Sequence, residues 1–309
     1  MQTILGAGGA IGKETAKALA NYTDEIRLVS RNPEKVNEGD QLFKANLLNK
    51  EEVLKAVKGS GIVYLTAGLT YKKEVWRQEW PIIMQNVIEA CMTNEARLVF
   101  FDNMYMYDPN HLNHMTEETP VNPVSEKGKV RADLNKMIFT QVEKGNLKAL
   151  IARCADYYGP GDINTSMLYQ TVIKPLSNGK KANWMGSAHF KHSFTFTPDA
   201  GKATALLGNT PDAYNQIWHL PTDNEALTGK QWIDAFAKGM GVKPSFQNVP
   251  KYIVRTMGLF MPIMKEMVEM FYQYDRDYVF DSSKFENKFG VKATPYEVGI
   301  SIITRKRNT

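Results

Sequence analysis

The chain has 309 residues, long for one minimal core and suited to two lobes or one large α/β unit. Hydrophobic residues at 43% and charged residues at 23% exclude a disordered, collagen-like or disulfide-scaffold chain. The net charge of +5 comes without a dense Lys/Arg stripe, and Arg305-Lys306-Arg307 reads as a solvated tail, so the balance argues against nucleic acid as a partner.

Residues 3–5 read as a short apolar strand, followed by Gly6-Ala7-Gly8-Gly9-Ala10-Ile11-Gly12 and a helical pattern of Ile11, Thr15, Ala18, Leu19 and Tyr22. Further strands are expected at residues 26–30, 41–45, 62–66, 97–101 and 147–153, and a helix at 49–58 with Asn49 as N-cap and Glu52 three residues on. Short apolar strands alternating with helices predict an α/β fold: a Rossmann doubly wound parallel sheet with helices on both faces. After Gly159-Pro160-Gly161 strands become sparse. Helix starts are marked by Thr197-Pro198, by the capping box Thr228…Gln231 and by Thr294-Pro295-Tyr296-Glu297. Residues 1–160 therefore form the expected nucleotide lobe. Residues 161–309 form a smaller, mostly helical substrate lobe, with a late strand near 214–219 returning to the sheet.

Residues 253–274 are rich in Met, Leu, Ile and Phe, but Arg255, Pro262, Lys265, Glu266 and Glu269 interrupt them, so no spanning helix is expected. A helix lining the core or a substrate pocket is favoured over docking on a membrane surface. Cys91 and Cys154 sit in apolar runs, which fits buried thiols in a reducing compartment. With Met1 running almost directly into the glycine turn, the expected location is the cytoplasm. His111, His114, His189, His192 and His219 show no ligand spacing with Cys or carboxylates, and no metal site is expected.

A glycine-rich turn after a strand and before a helix is the setting in which a dinucleotide's pyrophosphate approaches the backbone. Gly6 would allow the tight turn, Gly9 the close approach and Gly12 the packing of helix on strand. The helix N-terminus, at Ala10 and Ile11, would supply N–H donors and a positive dipole end. Binders of the 2′-hydroxyl cofactor usually end the second strand with an acid. Here Ser30-Arg31-Asn32-Pro33 stands there, so Ser30 can donate and Arg31 can grip a 2′-phosphate, favouring NADP over NAD. The alternative for Arg31 is an ordinary solvated loop residue.

Together these residues resemble the short-chain dehydrogenase/reductase superfamily in its extended, epimerase/dehydratase-like form. The glycine spacing matches. Ala45-Asn46-Leu47-Leu48 is similar to the segment after the third strand, with Asn46 replacing the usual adenine-contacting Asp. Thr66-Ala67-Gly68 stands where the fourth strand ends beside the cofactor. Arg153-Cys154-Ala155-Asp156-Tyr157-Tyr158-Gly159-Pro160-Gly161 is similar to the signature entering the substrate lobe. The resemblance implies that Asn46, Leu47, Thr66, Ala67, Gly68 and Tyr157 face the cofactor, and that Tyr107, Tyr158 and His192 face the substrate. His192 stands where sugar-nucleotide members often carry a phosphate-gripping Arg.

The family's proton relay is a Tyr with Lys four residues later, plus a Ser or Thr after the fifth strand. At those positions this chain has Lys127, Arg131 and Asn103, so it resembles the atypical members. Asn103, Tyr105, Lys127 and Arg131 are the candidate catalytic residues, Lys127 having the alternative of a solvated helix face. By resemblance a homodimer through helices around 80–93 and 124–142 is plausible. The expected function is an NADP-dependent oxidoreductase or epimerase/dehydratase acting on a small carbonyl or alcohol. The alternative is a catalytically silent NAD(P)-binding redox sensor or scaffold.

Overall fold

A computed structural model of the chain describes residues 1–160 and 166–305; Gly161, Lys306 and Arg307 lie outside the described residues. The strands in chain order are β1 (Gln2–Leu5), β2 (Ile26–Ser30), β3 (Gln41–Lys44), β4 (Ile62–Leu65), β5 (Arg97–Asp102), β6 (Ala149–Arg153), β7 (Asp156–Tyr158), β8 (Ala182–Met185), β9 (Phe194–Phe196), β10 (Ile217–His219) and β11 (Phe246–Val249). The helices are α1 (Ala10–Leu19), α2 (Lys50–Val57), α3 (Lys73–Thr93), α4 (Glu126–Glu143), α5 (Lys174–Ser177) and α6 (Thr197–Gly208). They continue with α7 (Gly229–Met240), α8 (Lys251–Met257), α9 (Pro262–Met270), α10 (Ser283–Phe289) and α11 (Tyr296–Arg305). The chain divides into two compact units assembled from interleaved stretches.

The first unit comprises Met1–Met106, Glu126–Cys154 and Pro198–Leu220. Its sheet runs in the order β10-β6-β5-β4-β1-β2-β3 with every pair parallel, the doubly wound Rossmann pattern. Strand order reverses between β1 and β4, the point where such sheets hold ligands. β1, β4 and β6 are buried at every position, and β4 reads as an unbroken apolar run, while Gln2, Thr3 and Arg153 are polar residues buried at or beside the strand ends. On one face Val63, Leu98 and Phe100 meet Trp80, Ile83, Val87 and Leu134 from α3 and α4 in a single core. Asn49 caps α2, its side chain accepting from the N–H groups of Glu51 and Glu52 at 3.0 and 3.2 Å. Gln2 is clamped from far along the chain: its Nε2 donates to Asn209 at 2.7 Å and its Oε1 accepts from the Tyr64 hydroxyl at 2.7 Å. Both cysteines are buried and free, and desolvation raises the Cys91 thiol pKa far above its ordinary value.

Details differ from the sequence-based expectation, among them the start of β6 at Ala149 rather than 147. α1 ends at Leu19, leaving Tyr22 44% exposed rather than on the buried face. The late strand starts at Ile217 instead of 214, because Asn215 takes a left-handed φ of 62° that no strand accommodates.

The second unit comprises Tyr107–Ser125, Ala155–Thr197 and Pro221–Thr309. β7 pairs with β9 and β8 with β11, both parallel. Its core is aromatic: Tyr158, Trp184, Phe194, Phe196, Trp232, Phe236 and Tyr296 are all buried together. The Thr228/Gln231 capping box starts α7, and Gly241, at φ 68°, ends it. Gly299 brings α11 against Tyr158, whose hydroxyl would lie 2.3 Å from a Cβ there.

Residues 253–274 are not one core helix. They divide into α8 and α9, with Met267 and Met270 buried but Leu259 and Phe260 77% and 83% exposed. Gly258 and Pro262 explain the break: proline has no N–H to continue a helix but suits its first position.

Candidate functional site

The glycine turn leaves β1 at the sheet's switch point. Gly6 has φ 91°, and a Cβ on it would meet Ala67 Cα at 2.4 Å, so only glycine fits both the conformation and the space. A Cβ on Gly12 would lie 2.9 Å from Ala7 Cα and 3.0 Å from Thr66 Oγ1. Gly6, Gly12, Thr66 and Ala67 are thus brought together by close backbone approach. Gly8 and Gly9 are different. A Cβ on Gly8 meets nothing within 4 Å, and one on Gly9 meets only Gly6 O at 3.9 Å. Gly9 is also the N-cap of α1 and offers no side-chain cap, and the first turn carries no acid. Open space, uncapped N–H groups and a positive helix end fit a pyrophosphate.

At the end of β2, Ser30 Oγ is shielded from solvent and pairs with no described group, while Arg31 is exposed. Asn46 is exposed too, its N–H donating to Glu52 at 2.7 Å and its side-chain oxygen accepting from Leu48 N. Leu47 holds α3 through its carbonyl, which accepts from Asn86 Nδ2 at 3.0 Å. Gly68 is exposed.

The candidate catalytic residues gather around β5 and the start of α4. Asn103 accepts from Tyr105 N at 3.1 Å, and its own N–H donates to Asp102 at 2.9 Å. Its amide nitrogen has no partner among the described residues and remains an available donor. Tyr105 stacks on Trp76 at 6.1 Å, and Trp76 meets Tyr71 edge-on at 5.8 Å. Lys127 is not a solvated helix face: it is wholly buried, with Nζ 4.5 Å from the Tyr71 ring centre. Arg131 lies one helical turn further and is also buried.

Arg131 is held from several sides. Its Nε stands 2.7 Å from Asp102, and the guanidinium carbon lies 4.6 Å from the Trp80 ring, 4.9 Å from Phe100 and 5.4 Å from Trp76. Burial pulls its pKa down and Asp102 pushes it back up, and a guanidinium so placed stays charged. The same Asp102 takes Arg153 at 3.3 Å and Asn135 Nδ2 at 2.8 Å, and Arg153 also donates to Asn135 Oδ1. Asp102, Asn135, Arg153 and the surrounding rings were not among the residues singled out from sequence. An acid directly after the apolar run Leu98–Phe101 was the available signal.

Tyr107, Tyr157, Tyr158 and His192 belong to the second unit. Tyr107 and Tyr158 are 1% exposed, and Tyr158 packs on Phe196, Trp232 and Tyr296. Tyr157 is half-buried. His192 is 2% exposed, stacked at 4.2 Å on Tyr278 and 5.0 Å on Tyr274. Its Nε2 lies 3.0 Å from Asp156, whose same oxygen accepts from the Tyr274 hydroxyl at 3.3 Å.

The sequence profile of the NAD dependent epimerase/dehydratase family matches residues 3–219. No curated protein matches the chain at a significant level. Among solved structures, the chain is similar to UDP-glucose 4-epimerase of Thermus thermophilus in complex with NAD, at 17% identity and a TM-score of 0.79 over 99% of this chain and 98% of that one. It is similar to a dTDP-glucose 4,6-dehydratase double mutant of Streptomyces venezuelae with NAD bound, at 15% identity and a TM-score of 0.81 over 100% and 97%. It is also similar to UDP-N-acetylglucosamine 4-epimerase of Bacillus cereus, at 15% identity and a TM-score of 0.78 over 99% and 96%. At these identities the likeness is one of fold.

Proposed function

Because the chain belongs to the NAD dependent epimerase/dehydratase family, we propose that it binds a nicotinamide dinucleotide on the Gly6–Gly12 turn and acts as an atypical oxidoreductase or epimerase/dehydratase on a small carbonyl or alcohol. The carrying observation is the open space at Gly8 and Gly9 beside an uncapped helix start, next to glycines that the fold itself requires. NADP is the preferred cofactor in this reading. The solved neighbours hold NAD, but β2 here ends without a carboxylate and with Arg31 exposed, which suits a 2′-phosphate. When bound, the nicotinamide supplies hydride transfer. The chain's own part is to hold the substrate oxygen: Asn103 offers a free amide donor, and the buried charge of Lys127 favours a developing oxyanion. Tyr105 and Lys127 are the groups assigned to proton transfer. His192 is engaged by Asp156 and two rings, which supports a substrate without a phosphate to grip.

Gly9→Val tests the cofactor assignment cleanly, since the Gly9 φ of −78° accepts any side chain and the space is open. The fold should persist by circular dichroism while titration shows binding of NADPH and NADH lost. Arg31→Asp should weaken NADPH more than NADH by about 1–3 kcal/mol; equal losses would remove the case for NADP.

One observation favours the silent-sensor alternative: Arg131, at the family's lysine position, is committed to Asp102 and three rings. Tight NADPH binding with no turnover across a panel of carbonyls, alcohols and sugars would select that reading.

A further inference from the structure

The turn between α8 and α9 belongs to the second unit, not to the one that carries the glycine turn. Leu259 is 77% exposed, Phe260 83%, Met261 43% and Ile263 44%, and Tyr252 and Ile253 on α8 add 67% and 37%. Large side chains exposed singly need no explanation, but a contiguous run of this kind does. The turn is ordered. Gly258 N donates to Val254 O at 2.9 Å, Phe260 N to Met257 O at 3.0 Å and Met261 N to Met257 O at 2.8 Å. A Cβ on Gly258 would sit 3.1 Å from the Lys265 backbone, so the two helices close tightly on each other. Val254, Met267 and Met270 anchor the hairpin by burial, and its apolar tip is left outside.

Within the hairpin segment up to Lys265 the charges have one sign. Residues 251–265 contain Lys251, Arg255 and Lys265 and no Asp or Glu, and all three cations are exposed. The next acid, Glu266, is buried.

We propose that the α8–α9 turn is a monotopic docking device for anionic bilayers, with Leu259 and Phe260 entering the headgroup–acyl boundary and Lys251, Arg255 and Lys265 meeting lipid phosphates and carboxylates. No helix among the described residues is long and apolar enough to cross a membrane, so the chain would lie on the surface rather than span it. Apolar residues at the tip with cations flanking them match the layering of an anionic interface. A second copy of the chain fits worse, because a two-fold interface sets a patch against itself and would oppose these cations to each other.

Co-sedimentation with vesicles tests this directly. The protein should pellet with mixed phosphatidylserine/phosphatidylcholine vesicles and release as salt is raised, and bind phosphatidylcholine alone far less. Replacing Leu259 and Phe260 together by Ser should lower partitioning at least about tenfold, and Arg255→Glu about fivefold or more. Val121→Ser, at another exposed apolar position of the same unit, should leave binding unchanged. Because these side chains are exposed, near-ultraviolet circular dichroism should match the parent. The proposal is overturned by absence of pelleting with either vesicle, by undiminished pelleting of the Leu259/Phe260 variant, or by a self-associated dimer that this variant abolishes while vesicles bind nothing.

Discussion

Each unit buries a carboxylate among rings, and the two are treated differently. Asp102 is fully shielded and answered by two guanidiniums, Arg131 and Arg153, plus Asn135. Asp156 keeps 16% of its side chain in reach of solvent and directs one oxygen at His192 and Tyr274. A carboxylate without water requires fixed charges and hydrogen bonds around it, and those charges are then spoken for. One that retains solvent contact can make do with an imidazole and a phenol. The lesson is that buried cations beside a presumed reaction centre are not automatically reagents: Arg131 is part of the support for Asp102.

The sharpest way to break this contrast is Asp102→Ala, which removes the carboxylate that both buried guanidiniums face. It should cost about 3–5 kcal/mol in urea denaturation, whereas Arg131→Met, which leaves Asp102 with Arg153 and Asn135, should cost clearly less. Asp156→Asn, with solvent available to compensate, should cost only about 1–2 kcal/mol by the same measurement. Parity between Asp102→Ala and Asp156→Asn would refute the distinction.

The smallest effect is expected at Tyr272. Burial raises its pKa to about 12, with hydrogen bonds from Ser125 and Gln273 opposing and Asp156 adding to the rise. A phenol whose folded pKa is raised contributes stability that is complete below its unfolded value near 10 and is lost as pH climbs through about 12. Tyr272→Phe should therefore reduce the loss of stability between pH 9 and 11 by about 1 kcal/mol. Tyr64, Tyr214, Tyr296 and the Cys91 thiol, which burial also raises, add to the same alkaline loss. An unchanged alkaline slope would show that Tyr272 titrates as in the unfolded chain.

Much of the Rossmann unit was legible because its signals are local. Gly6 and Gly12 announce backbone demands that only glycine meets, and the middle strands of this sheet, such as β4, are apolar and buried because both faces are covered. The positions of Lys127 and Arg131 were readable too, but their surroundings were not. Tyr71, Trp76 and Trp80 lie some fifty positions earlier, and only the packing of α3 on α4 brings them to these cations. The same holds for His192, whose stacking partners Tyr274 and Tyr278 follow more than eighty residues later. Residues 253–274 failed for another reason. Their composition suits a core, but Gly258 and Pro262 cut the helix and turn its most apolar tetrapeptide outward.

The clamp on Gln2 carries a consequence for how the protein is made. Its partner Asn209 lies 207 positions downstream, and β10, which completes the sheet, comes later still. At ribosomal speeds of about 5–20 residues per second, the first strand would wait about 10–40 s for that partner. Meanwhile most of the stretch between them has already emerged, including Tyr107–Ser125 and Ala155–Thr197, which belong to the other unit. The nascent sheet thus carries an unfinished edge beyond β6 until residue 219 appears. Parallel strands closed over such separations are slow to form, and it is during this interval on the ribosome that the chain is most exposed to misassembly and would gain most from a chaperone.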